Sequence, residues 1–203
     1  MKKDTKIKRA QYIQRNIEID QEFYFAHPST KFYLNSVYNS HFSGSSLWNL
    51  FSHETEMLEN SWNLSFKIMY NLPLPTHRYF VEPISEKPHA KVLMIKNFLR
   101  FCELIMSSQK VALKKVFAEV KQNVLSYTGS NLRRIMKLMK KNDISELNSN
   151  EVKSNLNYNL IPDGEKWRLS ILQEVLQVRS GFSNIEGFEK QEIEEILEFV
   201  CTS

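Results

Sequence analysis

The chain is poor in the residue types from which active sites are most often built. Of its 203 residues only two are cysteine, five glycine and four aspartate. Cys102 and Cys201 are far apart in sequence with no histidine or second cysteine beside either, so each reads as a small apolar core residue. Two thiols in a chain of this length fit a reducing compartment, the cytoplasm or the nucleus. The few glycines leave no glycine-rich phosphate loop and no nucleophile elbow, and no alternating apolar run is bounded by hairpin turns. Asp4, Asp20, Asp143 and Asp163 are scattered, whereas a two-metal phosphoryl-transfer centre needs several carboxylates converging on its ions. No stretch approaches the ~18 apolar residues of a membrane span. No apolar run follows the basic start, and Cys201 has two residues after it where a prenylation motif needs three, so an intracellular chain without membrane contact is expected.

Hydrophobic residues make up 42% of the chain and aromatics 12%, enough for a packed core. Their spacing is helical. Ile7, Ala10, Ile13, Ile17 and Tyr24 predict the inward face of a first helix that ends before Pro28. A second, short helix is expected from Ser29 and Thr30 to Tyr38. After the Ser43-Gly44-Ser45-Ser46 break, a third is expected, capped by Ser46 and carrying Leu47, Leu50, Phe51, Leu58, Trp62 and Phe66. Four prolines lie between residues 72 and 88 and predict an irregular connection. Helical spacing returns with Val92, Ile95, Leu99, Cys102 and Met106, then with Val111, Leu113, Val116, Phe117, Val120 and Val124. After a turn at Thr128-Gly129-Ser130 come Leu132, Ile135, Met136 and Met139. An Asn- and Ser-rich connection over 142–159 precedes a helix through Trp167, Ile171, Val175 and Val178, stopped by Gly181, and a short acidic helix through Ile193, Ile196, Leu197 and Val200. The expected fold is all-α, a multi-helix array or bundle that can divide into two small subdomains: 1–72, a proline-rich connection 73–90, and 91–203.

Candidate chemistry is thin. His27, His41, His53, His77 and His89 never lie three or four residues from another histidine or a cysteine, the spacing by which one helix face presents two metal ligands. The six glutamates from Glu186 to Glu198 fit a solvated acidic face better than acid–base catalysis. No catalytic residue, metal, cofactor or small-molecule ligand is expected. Charge distribution is the one lead. Residues 108–141 carry nine basic side chains, Lys110, Lys114, Lys115, Lys121, Arg133, Arg134, Lys137, Lys140 and Lys141, against Glu119 alone, a net charge of +8. Clustered cations on helices release counterions from a phosphate backbone; the plainer reading is a solvated face that aids solubility. The early aromatics, Phe23, Tyr24, Phe25, Phe32, Tyr33, Tyr38, Phe42, Trp48 and Phe51, fit core packing better than stacking on bases.

Ordered blocks of sequence add a resemblance. Lys8-Arg9-Ala10-Gln11-Tyr12-Ile13-Gln14-Arg15-Asn16, Gln21-Glu22-Phe23 and Phe25-Ala26-His27-Pro28 come first. Tyr38-Asn39-Ser40-His41-Phe42-Ser43-Gly44-Ser45, Leu47-Trp48 and Leu50-Phe51-Ser52 follow, then Thr76-His77-Arg78-Tyr79 and Glu82-Pro83-Ile84-Ser85. Thr128-Gly129-Ser130-Asn131-Leu132-Arg133, Trp167-Arg168 and Phe199-Val200-Cys201-Thr202-Ser203 complete the set. In this order they resemble the C-terminal, thumb-side region that follows the palm in non-LTR (LINE-type) retrotransposon reverse transcriptases of animals. The resemblance implies a helical region that helps hold template and primer. The palm with its paired aspartates and the endonuclease domain have no counterpart here, so it implies a non-enzymatic fragment of an RNA-directed DNA polymerase. Residual, sequence-independent binding to an RNA or DNA backbone is expected at Arg133, Arg134, Lys137, Lys140 and Lys141, with Lys114 and Lys115. The rival expectation is a protein-interaction module or an inert transposon-derived fragment, self-associating through faces that the missing palm once covered.

Overall fold

A computed structural model of the chain describes residues 2–39, 42, 44–70, 72–76 and 88–152. Among them are six α-helices: α1 (Lys2–Glu22), α2 (Pro28–Asn39), α3 (His53–Met69), α4 (Ala90–Ser107), α5 (Val111–Gln122) and α6 (Tyr127–Met139). Short 3-10 turns lie at Ser45–Leu47 and Ile144–Glu146, and the described residues contain no strand, so this part of the chain is all-α. The helix expected around Trp167, the acidic helix of the last eighteen residues, His41, His77 and Cys201 lie outside the described residues.

The helix starts follow from side chains that take up free backbone N–H groups. Ser52, not Ser46, caps α3: its Oγ accepts from the Thr55 N–H at 3.3 Å, and Glu54 and Glu56 complement the positive end of the helix. Ser46 sits instead in the 3-10 turn before it. His89 caps α4, with Nδ1 accepting from the Lys91 N–H at 3.2 Å. That bond leaves the ring proton on Nε2, which donates to Asn63 Oδ1 at 3.0 Å and ties α4 to α3. Ser126 caps α6 by accepting from the Gly129 N–H at 2.9 Å. Thr128-Gly129-Ser130 is therefore the first turn of a helix rather than a break. Gly129 is required there because a Cβ would lie 2.4 Å from the Asn123 carbonyl oxygen at the end of α5.

One apolar core joins both sides of the proline-rich stretch. Phe32 meets Trp62 and Phe66 edge-on, and Phe66 stacks on Tyr70 at 4.4 Å. Leu58, Met94, Ile95, Phe98, Leu132 and Ile135 continue the core toward α6. Val92, Ile95, Leu99 and Cys102 are buried as their spacing predicts, while Met106 is exposed. Burial in this setting pushes the Cys102 thiol up to about 12, with Glu103 nearby adding to the shift. In a Cys201→Ser background, Cys102 is expected to react with a thiol reagent at pH 8 only at the rate of unfolding; labelling as fast as a free thiol would contradict this packing.

Two helices depart from the spacing. α5 buries Phe117 but leaves Val111, Leu113 and Val116 exposed; among the described residues it packs chiefly against α4 and α6. α1 is rotated relative to its apolar stripe. It turns Thr5, Tyr12, Asn16 and Ile19 inward and leaves Ile7, Ala10, Ile13 and Ile17 exposed, as is Tyr24 in the turn after it. The inward face is held mainly by a polar network, with Ile19 the one buried isoleucine of the helix. Asn35 Nδ2 of α2 donates to the Tyr12 hydroxyl at 3.1 Å and to Asn16 Oδ1, and Asn16 Nδ2 donates to the Tyr12 carbonyl at 2.9 Å. Burial raises the Tyr12 phenol above its ordinary value, partly opposed by these amides and Ser65. A satisfied buried network specifies one packing, and here it outcompetes the apolar stripe.

Candidate nucleic-acid interface

α6 carries the basic surface, and its placement starts from Asn131. This buried amide accepts from the Leu50 N–H at 3.1 Å and donates to the Trp48 carbonyl at 2.7 Å, satisfying two backbone groups of the segment before α3. Trp48 in turn donates its indole N–H to Asp4 Oδ2 of α1 at 2.8 Å. Leu132, Ile135 and Met139 bury the adjoining stripe of α6. Replacing Asn131 by leucine strands both backbone groups and is expected to cost about 2–4 kcal/mol of stability, measurable by urea unfolding.

With that face fixed inward, the opposite one is dictated by the 3.6-residue period. Arg133 and Lys137 fall at i and i+4 on it and are exposed, and Lys140, just past the helix end, is exposed too. Arg134 is exposed beside them, but it is tethered: its guanidinium lies 5.4 Å from the Phe51 ring centroid and donates to the Phe51 carbonyl at 3.4 Å. Arg133 makes one long bond, 3.4 Å to the Asn123 carbonyl. Among the described residues no carboxylate pairs with Arg133, Arg134, Lys137 or Lys140. Lys141 differs, being half-buried and paired with Glu151 at 3.3 Å. Lys114 and Lys115 are exposed on α5, the helix packed against α6; as consecutive residues they point about 100° apart.

Lys140 has a further property. It follows the last turn of α6 with φ of 53°, the left-handed conformation usually given to glycine. A lysine there carries a backbone cost of about 1 kcal/mol. Its ammonium complements the negative end of the helix, which offsets part of that cost. What the arrangement offers chemically is a row of exposed cations on a rigid helix, suited to phosphate oxygens. The described residues contain no cluster of three or more His, Cys, Asp or Glu able to hold a metal, and none of their helices is long and apolar enough to cross a membrane.

One cation was not visible as special in the sequence. Lys91 is buried, donating to Glu59 Oε1 and to the Leu50 carbonyl, each at 2.6 Å, with its ammonium 4.8 Å from the Phe51 ring centroid. It is a structural charge. The signal for it would have been its position, one residue before Val92 on a helix whose neighbouring turns are apolar. Comparison with known proteins finds no matching family model, no matching curated protein and no matching solved structure.

Proposed function

We propose that this chain is a non-catalytic, thumb-like helical fragment of the retrotransposon reverse-transcriptase kind, and that it binds RNA or DNA backbones without reading sequence. It acts inside the cell, in cytoplasm or nucleus, with no cofactor, small-molecule ligand or membrane. The ordered motif blocks support the descent. The observation that carries the activity is the exposed row of Arg133, Arg134, Lys137 and Lys140 on α6, unpaired with carboxylates among the described residues. Lys114 and Lys115 extend the positive field from α5, and Lys141 contributes once its pairing with Glu151 is exchanged for a phosphate. Such contacts position a duplex and carry no base information. The test is equilibrium binding of the full chain to two short duplexes of unrelated sequence at low salt. Equal, measurable affinities are expected; absence of binding, or a strong preference between the two, would overturn the reading. Nucleotide incorporation on a primed template by this chain alone would overturn its non-catalytic part.

A second reading, a protein-interaction module, is favoured by a different observation. The outward stripe of α1 and the exposed Tyr24–Phe25 pair, in edge-on contact at 5.4 Å, leave large apolar groups uncovered among the described residues.

A further inference from the structure

The charge of this chain is concentrated in two opposed blocks. Residues 108–141 carry +8, and residues 186–198 carry six glutamates against Lys190 alone, a net charge of −5, which leaves the remainder of a +4 chain at only +1. The path of the chain brings the second block back toward the first. After α6 it makes the 3-10 turn at Ile144–Glu146 and is then anchored twice: Val152 is fully buried, and Glu151 pairs with Lys141 at 3.3 Å. The described residues therefore end beside the last cation of the basic run, and a carboxylate from beyond α6 already neutralises that cation. Arg133, Lys137 and Lys140 are exposed and, among the described residues, paired with no carboxylate. The other exposed cations of a basic stretch, Lys3 and Lys6 of α1, have Asp4 between them.

We infer that the glutamates of residues 186–198 occupy the Arg133–Lys137–Lys140 row of their own chain and withhold it from nucleic acid until a phosphate backbone displaces them. Carboxylate oxygens accept from the same ammonium and guanidinium donors as phosphate oxygens, so one row serves both. Reach does not limit the contact. From Val152 to Glu186 are 34 residues, about 110 Å of extended chain, whereas the row is about 10 Å long. Because both blocks belong to one chain, the acidic segment meets the row at an effective concentration on the order of millimolar, whatever the protein concentration. A duplex wins the exchange through the condensed counterions that its phosphates release, a gain that scattered carboxylates do not supply. This regulation rests on the nucleic-acid reading; the contact between the two blocks does not.

Two measurements on the full chain keep the contact and the nucleic-acid reading apart. Carbodiimide coupling joins a lysine amine to a carboxylate that touches it, and a mixture of light and heavy-isotope chains tells links within a copy from links between copies. At low salt Lys137 or Lys140 is expected to link to glutamates of 186–198 within one copy, and the links should vanish near 1 M salt, where the screening length is about 3 Å. The second measurement is affinity for a short duplex. Glu192→Gln/Glu195→Gln/Glu198→Gln is expected to raise it about fivefold or more, because the row is then less often occupied. Glu18→Gln/Glu22→Gln/Glu56→Gln removes the same charge from exposed sites elsewhere and should leave affinity within about twofold. Absence of links to α6, links to α1 alone, or links only between copies would overturn the inference. So would no tightening by the first variant, or equal tightening by both, which marks a general effect of net charge. Links in place with no duplex binding by any of the three proteins would establish the contact and overturn the nucleic-acid reading instead.

Discussion

Replacing Glu59 by alanine is expected to remove about 3–5 kcal/mol of stability, the usual consequence of leaving one member of a buried ion pair behind. Glu59 and Lys91 have side chains only 6% and 11% exposed, and their contact is 2.6 Å. Without the carboxylate, the Lys91 ammonium keeps one carbonyl and the face of Phe51, too little to replace lost hydration. For a domain whose total stability is about 5–15 kcal/mol, that is a fifth of the whole or more. The melting temperature should fall by about 6–20 °C. The double replacement Glu59→Met/Lys91→Met removes both charges and keeps much of the volume. It should recover most of the loss, leaving the Leu50 carbonyl short of one donor. Double-mutant unfolding in urea measures the coupling, and additive single losses would contradict a pair that acts as a unit.

The second large effect is on binding. Arg133→Glu/Lys137→Glu/Lys140→Glu reverses the row on α6 while sparing Arg134, whose contact with Phe51 belongs to the fold. Affinity for a short duplex at low salt is expected to fall by about 100-fold or more, because each reversal removes a phosphate contact and adds a repulsive charge. Helicity should be unchanged, since all three side chains are exposed. Lys140→Gly separates function from stability. Glycine relieves the left-handed backbone and should stabilise the chain by less than about 1 kcal/mol, since the ammonium's attraction to the helix end is lost with the strain, while loss of the ammonium weakens duplex binding. A variant that is both more stable and equally tight would remove Lys140 from the interface.

Much of this was legible in the residues, and the failures have physical causes. The α6 surface could be read because Leu132, Ile135 and Met139 fix which side faces inward, and the period then places Arg133 and Lys137 outward, with Lys140 following at the helix end. α4 was legible for the same reason. α1 was not, because counting apolar residues assumes that the apolar face is the buried one. Tyr12, Asn16 and Asn35 satisfy one another completely enough to take that place, and Ile7, Ile13 and Ile17 turn outward. Ser46 and Ser52 are equally good caps by residue type; only the chain path, a 3-10 turn followed by an extended step at Trp48, selects Ser52. Lys141 sits in the same basic run as Lys140, yet its neighbour across the turn, Glu151, is ten residues away and draws it aside. Lys91 looks like any surface lysine until Glu59, from another helix, is seen against it.

The central claim is that the exposed cations of α6 hold a nucleic-acid backbone, and the salt dependence of binding tests it most directly. Four phosphate contacts on duplex DNA, or five with Lys141, predict a slope of log Kobs against log salt of about −3.6 to −4.5 for the unaltered chain. The same measurement on Arg133→Glu/Lys137→Glu/Lys140→Glu should give a slope nearer zero by about 3. A flat line for the unaltered chain, or the same slope for both proteins, would contradict it.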